Sequence, residues 1–435
     1  MLGLGLEISN YNYRISSGKD IISKNNPSLY LDFTKNLNKI NKTPATNSLT
    51  VTRASGGTYQ DASGVLTSFT NNQARIGNNG LLVEEQKTNF IRNNTMVGAS
   101  APSTFPTNWV NTSVTGITTN VIGTGVEDGI EYIDMRISGS RVSTGVQVIT
   151  LDSLVTASQN QIWSLTSFVK LVSGSLTGIS AVTLSITERN TTGGALTGSN
   201  GDITSFLTNN NLRNNRASVI RTLNNALTVN AAPEIRITVS ANISVDLTIR
   251  IGLPQIELGA NVTSPIKTSG TTVTREADKI ALPNPTAWWN SSGGNTLYIE
   301  YISPFVLFNT SHYVSLSASN SSTNNIYLQS TTTSSGISCN VGGVSQAGST
   351  FPGFAPTARQ NIKRASVLNT NDFRQAFNSV VSANVDTSGT IPTSLNNSWI
   401  GSQWDGNANY CNTYIKSVAN FNSALSNTIL GNITT

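Results

Sequence analysis

Val245-Asp246-Leu247-Thr248-Ile249-Arg250-Ile251-Gly252 runs without a break into Leu253-Pro254-Gln255-Ile256-Glu257-Leu258-Gly259-Ala260-Asn261-Val262-Thr263-Ser264-Pro265-Ile266. This stretch decides the fold. Val245, Leu247, Ile249 and Ile251 alternate with Asp246, Thr248, Arg250 and Gly252. Successive side chains of a strand point to opposite faces, so the pattern buries one face and wets the other. Beyond Leu258 the chain turns rich in Pro, Gly and Thr. It leads through Val273-Thr274-Arg275-Glu276-Ala277-Asp278 into a further length of chain. The whole reads as the last strand of one β-domain, a connector, and the entry to another. Arg275 should hydrogen-bond carbonyls or a carboxylate near this boundary, with Asp278 a candidate partner.

The same period recurs outward from there. Val182, Leu184 and Ile186 alternate with Thr183, Ser185 and Thr187, and Ile235, Ile237 and Val239 with Arg236, Thr238 and Ser240. Asn78-Asn79-Gly80, Glu127-Asp128-Gly129, Thr192-Gly193-Gly194 and Ser292-Gly293-Gly294 supply the turns. Helical periodicity is nearly absent. The best helix spans Phe421 to Leu430, with Asn422 or Ser423 as cap. At 435 residues the chain exceeds one ordinary core. It divides into an Asn-rich, extended N-terminal arm and connector (1–95), a β-sandwich (96–262), an interdomain connector (263–279) and a second β-sandwich (280–435). The expected class is all-β: an arm, then two tandem antiparallel sandwiches. Val51-Thr52-Arg53 and Val273-Thr274-Arg275 echo each other, each just before a turn-rich segment.

Charged residues make up only 11% of the chain and hydrophobic ones 37%. The latter is enough to build cores, while Asn, Ser, Thr and Gly carry most of the surface polarity. The net charge is +5. The basic residues are scattered, however, and no Lys/Arg run resembles a phosphate-tracking groove, which argues against a nucleic-acid partner. No apolar run approaches the roughly 20 residues of a membrane-spanning helix. The N-terminus also lacks the pattern of a secretory signal, so a protein without membrane insertion is expected. Cys339 and Cys411 read as free thiols of a reducing compartment, a disulfide between them remaining open.

Few residues offer reaction chemistry. His312 is the only histidine. It stands in the strand-like Ser311-His312-Tyr313-Val314 with no nucleophile elbow elsewhere, and reads as structural. Glu127, Asp128, Glu131 and Asp134 form the densest acidic group. Asp128-Gly129 is a turn, and Asp134 points away from the core beside Arg136, so a solvated hairpin is the plain reading. Calcium bound by Glu127, Asp128 and Glu131 is the cofactor this pattern would admit, because carboxylates and turn carbonyls suit a hard cation. Glycan binding without cleavage needs aromatic faces that stack on sugar C–H surfaces, with amides and carboxylates beside them. Trp399, Trp404, Asp405, Asn407 and Tyr410 supply these on turn-rich ground. Trp288-Trp289 reads as packing at the entrance to the second sandwich.

Three segments carry a family resemblance: Leu49 to Leu66, Gly80 to Phe90, and Pro254 to Asp278. They resemble bacteriophage virion structural proteins of the tail, fibre and head-appendage type. In these a carbohydrate-binding-like jelly roll is followed by a laminin-G/concanavalin-like sandwich. Thr88 to Asn94 and Trp163 to Lys170 match the first of these. Thr296 to Glu300, Asp372 to Asn378, Trp399-Ile400-Gly401 and Ile415 to Leu430 match the second. The resemblance implies a non-enzymatic virion subunit assembled in the host cytoplasm. Its arm, ordered only on assembly, would dock onto other virion proteins, and a lectin-like surface would meet host polysaccharide. A homotrimer is expected, since sandwich edges with few charges need pairing. A capsid decoration protein is the alternative. A glycan-cleaving tailspike would need repeated coils with a period of about 20–50 residues, and none is visible.

Overall fold

The computed structural model describes residues 18–44, 49–61, 63–153, 155–303, 310–347, 350–352 and 359–435. The regular structure of the described chain is nearly all antiparallel strand and packs into two sandwiches. Among the described residues, no helix is long and apolar enough to cross a membrane.

The middle sandwich has two five-stranded sheets. One has the order Val110–Thr112, Gly145–Thr150, Asn230–Val239, Ile179–Arg189, Ala195–Asp202. The other has the order Ile117–Glu127, Ile130–Gly139, Val245–Leu258, Ile162–Gly174, Arg216–Thr222. The residues that alternate in sequence are those that meet: Val182, Leu184, Ile186, Ile235, Ile237, Leu247, Ile249 and Ile251 fill one core between the sheets. Burying each such side chain contributes about 1.5–3 kcal/mol.

The second sandwich is not built from residues 280–435 alone. Its larger sheet places Leu29–Asp32 between Leu37–Ile40 and Thr413–Phe421, and Gly80–Val83 also pairs with Thr413–Phe421. Its eight-stranded sheet ends in Thr50–Thr52, paired to Lys279–Ala281. Residues 1–95 are therefore not one extended arm. From Gly18 onward the described chain folds within the single molecule, while Met1 to Ser17 lie outside the described residues. The reason is burial: Leu29, Leu31, Leu81 and Val83 belong to the second core beside Leu297, Val314, Leu328 and Val418. Strands of four residues buried on both faces show no alternation, which hid them in the sequence. The middle sandwich is thus an insertion. It is entered through Lys87–Asn89 and left through Val273–Arg275, which pair with each other as a two-stranded ribbon.

Both echoed arginines end at this ribbon. Arg53 Nη1 donates to Asp278 Oδ1 at 2.7 Å, and Arg75 Nη2 bridges Asp278 Oδ2 and Glu84 Oε2, the latter at 2.7 Å. Arg275 Nη1 lies 2.9 Å from the same Glu84 oxygen, and its Nη2 donates to the Glu85 carbonyl at 2.5 Å. Arg275 therefore pairs with Glu84, not with Asp278, which Arg53 and Arg75 occupy. All five side chains are buried. Burial alone would raise the Glu84 pKa, but Arg275 and Arg75 hold it down to about 2. Arg53 also donates to the carbonyls of Ser55, Thr70 and Gln73, pinning the hairpin Gly57–Gln60/Leu66–Phe69. That hairpin touches both sandwiches. Tyr59 stacks on Tyr414 with centroids 5.3 Å apart, while Leu66 packs with Ile130, Phe168, Leu212 and Leu253.

Two short helices cover the outer face of the larger sheet, Gly18–Lys24 and Asn427–Ile433. Ile22, Leu430 and Ile433 pack there on Tyr298, Ala419 and Phe421. The second helix starts later than Phe421, which ends a strand. Its cap is Ser426, whose side chain accepts from the Ile429 N–H, and neither Asn422 nor Ser423. Trp288 and Trp289 are buried at an edge-to-face angle of 86°. Cys339 and Cys411 are free and buried, and burial pushes both thiols up to about 12.

Candidate functional site

The outer face of the eight-stranded sheet gathers aromatic rings and amides. In Asn325–Ser330, Ile326 and Leu328 point into the core, which turns Tyr327 and Gln329 outward. In Ser311–Ser317, Val314 and Leu316 are inward and Ser315 and Ser317 outward. Register sets Ser315 opposite both Tyr327 and Trp399, and Tyr327 opposite Ser338. One row thus reads Trp399, Ser315, Tyr327, Ser338.

The loop after Trp399 folds back over this row. Ser315 Oγ donates to the Ser402 carbonyl at 2.7 Å and Ser317 Oγ to the Trp404 carbonyl at 2.8 Å. The loop braces itself: Asp405 Oδ1 accepts from the Asn407 N–H and from Gln403 Nε2, both at 2.9 Å. Tyr410 OH donates to the Gly406 carbonyl at 2.7 Å. Gly406 has φ +74°, and a Cβ there would stand 2.8 Å from the Trp399 ring, so only glycine fits. Held this way, Trp404 is half-buried. Its ring lies 5.7 Å from Tyr327 and 6.1 Å from His312. His312 stacks flat on Tyr327 at 4.3 Å and 13°. Burial pushes the His312 pKa down to about 4, so the ring is neutral at pH 7.

The five residues expected to meet a glycan therefore take different parts. Trp404 presents a partly open ring. Trp399 has one face covered by Gly406, and its Nε1 donates to Asn320 Oδ1 at 3.1 Å. Tyr410 is buried and supports the loop, as does Asp405. Asn407 is exposed and accepts from Lys279 Nζ at 2.7 Å. Trp399, Tyr410 and Asp405 are thus scaffold for Trp404. The sequence reading missed Tyr327, although the alternation Asn325, Tyr327, Gln329 around Ile326 and Leu328 carried the signal.

The calcium assignment fails on geometry. In the hairpin Ile117–Glu127/Ile130–Gly139, Glu127 stands opposite Ile130 and Glu131 opposite Val126, so the two glutamates project from opposite faces. Each has its own cation. Glu127 accepts from Lys170 Nζ at 3.1 Å and Arg250 Nη1 at 2.5 Å, Glu131 faces Lys267 at 2.9 Å, and Asp128 faces Arg213 at 3.4 Å. Burial opposes ionisation of Glu127, yet the Leu212 N–H, Lys170 and Arg250 lower its pKa. Asp134 takes a bidentate pair from Arg250 at 2.8 Å, while Arg136 turns to Asp246. Among the described residues no group of three His, Cys, Asp or Glu side chains is placed to hold a metal ion.

No protein-family model matches the chain, and no curated protein matches it. Similar solved structures include the carbohydrate-binding module CBM40 of the Ruminococcus gnavus IT-sialidase bound to α2,3-sialyllactose. It is 14% identical, with TM-score 0.29 over 33% of this chain and 82% of that one. The Streptococcus pneumoniae NanB sialidase is 12% identical, with TM-score 0.27 over 32% of this chain and 23% of that one. A heptameric SAP-like pentraxin from Limulus polyphemus is 14% identical, with TM-score 0.26 over 33% and 70%. Likeness at this level bears on neither ligand nor activity.

Proposed function

We propose that this chain is a non-catalytic bacteriophage virion subunit, an appendage of tail or head, whose second sandwich attaches to host surface glycan through Trp404 and Tyr327. The observation that carries the attachment reading is the pair of half-buried rings, 5.7 Å apart, on a sheet face that also carries the half-buried Gln329 and Ser338. Such a surface offers stacking faces to sugar C–H groups and hydrogen bonds to their hydroxyls. The virion reading rests on the three resembling segments. Arg53, Glu84, Arg275 and Asp278 come from these segments and meet in one buried network. The residues before Gly18 are the docking segment toward other virion proteins, and a homotrimer would present three copies of the site. Single sugar sites are weak, so attachment would come from several copies at once.

Trp404→Ala tests this. It removes a stacking face whose ring fills no core, so the assembled particle should lose adsorption to host polysaccharide while the melting temperature holds. Unchanged adsorption with a lower melting temperature would make Trp404 a packing residue and end the reading. Mass spectrometry of separated head and tail fractions tests the virion assignment.

A further inference from the structure

The middle sandwich carries a second arrangement on the open face of one sheet. Because Val182, Leu184, Ile186, Ile235 and Ile237 point into the core, Thr183, Ser185, Thr187 and Arg189 share the other face with Ala232, Glu234 and Arg236. Register sets Glu234 opposite Ser185 and Arg236 opposite Thr183. Glu234 is fully buried although it stands on that face. Its Oε1 accepts from Arg189 Nη2 at 2.5 Å, and its Oε2 from Arg236 Nη1 at 2.9 Å and Thr187 Oγ1 at 2.8 Å. Arg189 spends one more N–H on the Gly193 carbonyl at 2.9 Å. The Arg236 side chain makes no other hydrogen bond among the described residues.

Two guanidiniums thus share one carboxylate, leaving an excess positive charge and unspent N–H donors on side chains 27% and 30% exposed. A plain cross-strand ion pair needs one cation. Beside the pair lies a polar floor of Ser185 and Thr187, both buried, and Gly198, which stands opposite Thr187. A Cβ at Gly198 would meet only Ser185 Oγ and Thr187 Oγ1, both at 3.5 Å, so the glycine keeps the surface beside the two arginines low.

We propose that this face binds a carboxylated sugar, as in a uronic-acid polysaccharide. Arg236 and Arg189 contact the sugar carboxylate, and Glu234 is the positioning residue that orients both guanidiniums. Their planar forks match a carboxylate, while the exposed Asn200, opposite Ser185 on the same face, meets the ring substituents. The site is independent of Trp404, which lies on the other sandwich.

Affinity electrophoresis of the full chain through gels containing polygalacturonate, or dextran as the uncharged counterpart, tests it. Retardation is expected in polygalacturonate alone, and added salt should weaken it. Arg236→Gln removes the charge and shortens the side chain, and should weaken retardation about tenfold, the equivalent of one charged hydrogen bond. Arg236→Lys should recover part of it. Arg136→Ala on the other sheet should leave it unchanged. No retardation of the parent chain, equal retardation in dextran, or an equal loss in Arg136→Ala would overturn the proposal. So would a destabilised Arg236→Gln chain with unaltered retardation.

Discussion

The two sandwiches differ in how their chain is laid out. The middle one is made from a single run between the ribbon strands Lys87–Asn89 and Val273–Arg275. The other is closed only when segments on both sides of that run meet, with Leu29–Asp32 paired to Thr413–Phe421 across nearly the whole chain. Strand alternation reveals the first and says little about the second. A discontinuous domain must also hold its pieces together, and here buried charge does so. Three arginines and two carboxylates lock the returning segments where the insertion begins and ends. Such a lock stabilises while complete and costs heavily when one partner is lost.

The sharpest way to break this comparison is by fragments. Residues 90–272 should fold as a cooperative unit. Residues 273–435 alone lack Leu29, Leu31, Leu81 and Val83 and should stay unfolded until residues 18–89 are supplied in trans. Circular dichroism melts of each piece check it, and a cooperative melt of 273–435 by itself would contradict the architecture. Next in size is Asp278→Asn. It leaves Arg53 and Arg75 buried without their shared carboxylate, and should cost about 3–5 kcal/mol. The loss should fall on the second sandwich, read by hydrogen exchange at Leu297 and Val418, with Ile249 and Ile237 protected as before.

The smallest effect is in pH. The folded-state pKa of His312 is lowered from 6.5 to about 4, so the unfolded chain takes up its proton first. The neutral ring's contribution is complete above pH 6.5 and is lost as pH falls toward 4. It amounts to at most about 3 kcal/mol. Glu84, lowered to about 2, adds its loss only further down, between pH 4.5 and 2. The second sandwich should therefore soften on mild acidification before the middle one does. Thermal melts of the parent chain and of His312→Gln between pH 7 and 4 check this, the variant showing the flatter profile.

The legible parts of the site follow the same division. Trp404 could be placed on a loop because Asp405-Gly406 follows it, and the loop is real. That Trp399 and Tyr410 support the loop, and that Tyr327 is the ring beside Trp404, depends on strand register, which local pattern does not encode. The acidic hairpin shows the converse. Glu127, Asp128 and Glu131 are near in sequence, yet strand pleating sends the two glutamates to opposite faces, each to its own cation.

By itself the sequence determined the class of structure. Period-two alternation, turn chemistry and sparse charge allow only antiparallel sheets with one buried face, because a strand's side chains alternate whatever it pairs with. Tertiary structure alone decided which strands pair and which charges meet. Leu29 finds Asn420 and Arg53 finds Asp278 through hydrogen bonding and burial between segments hundreds of residues apart. Those interactions are satisfied only in the closed sandwich, and no local window of the chain contains both partners.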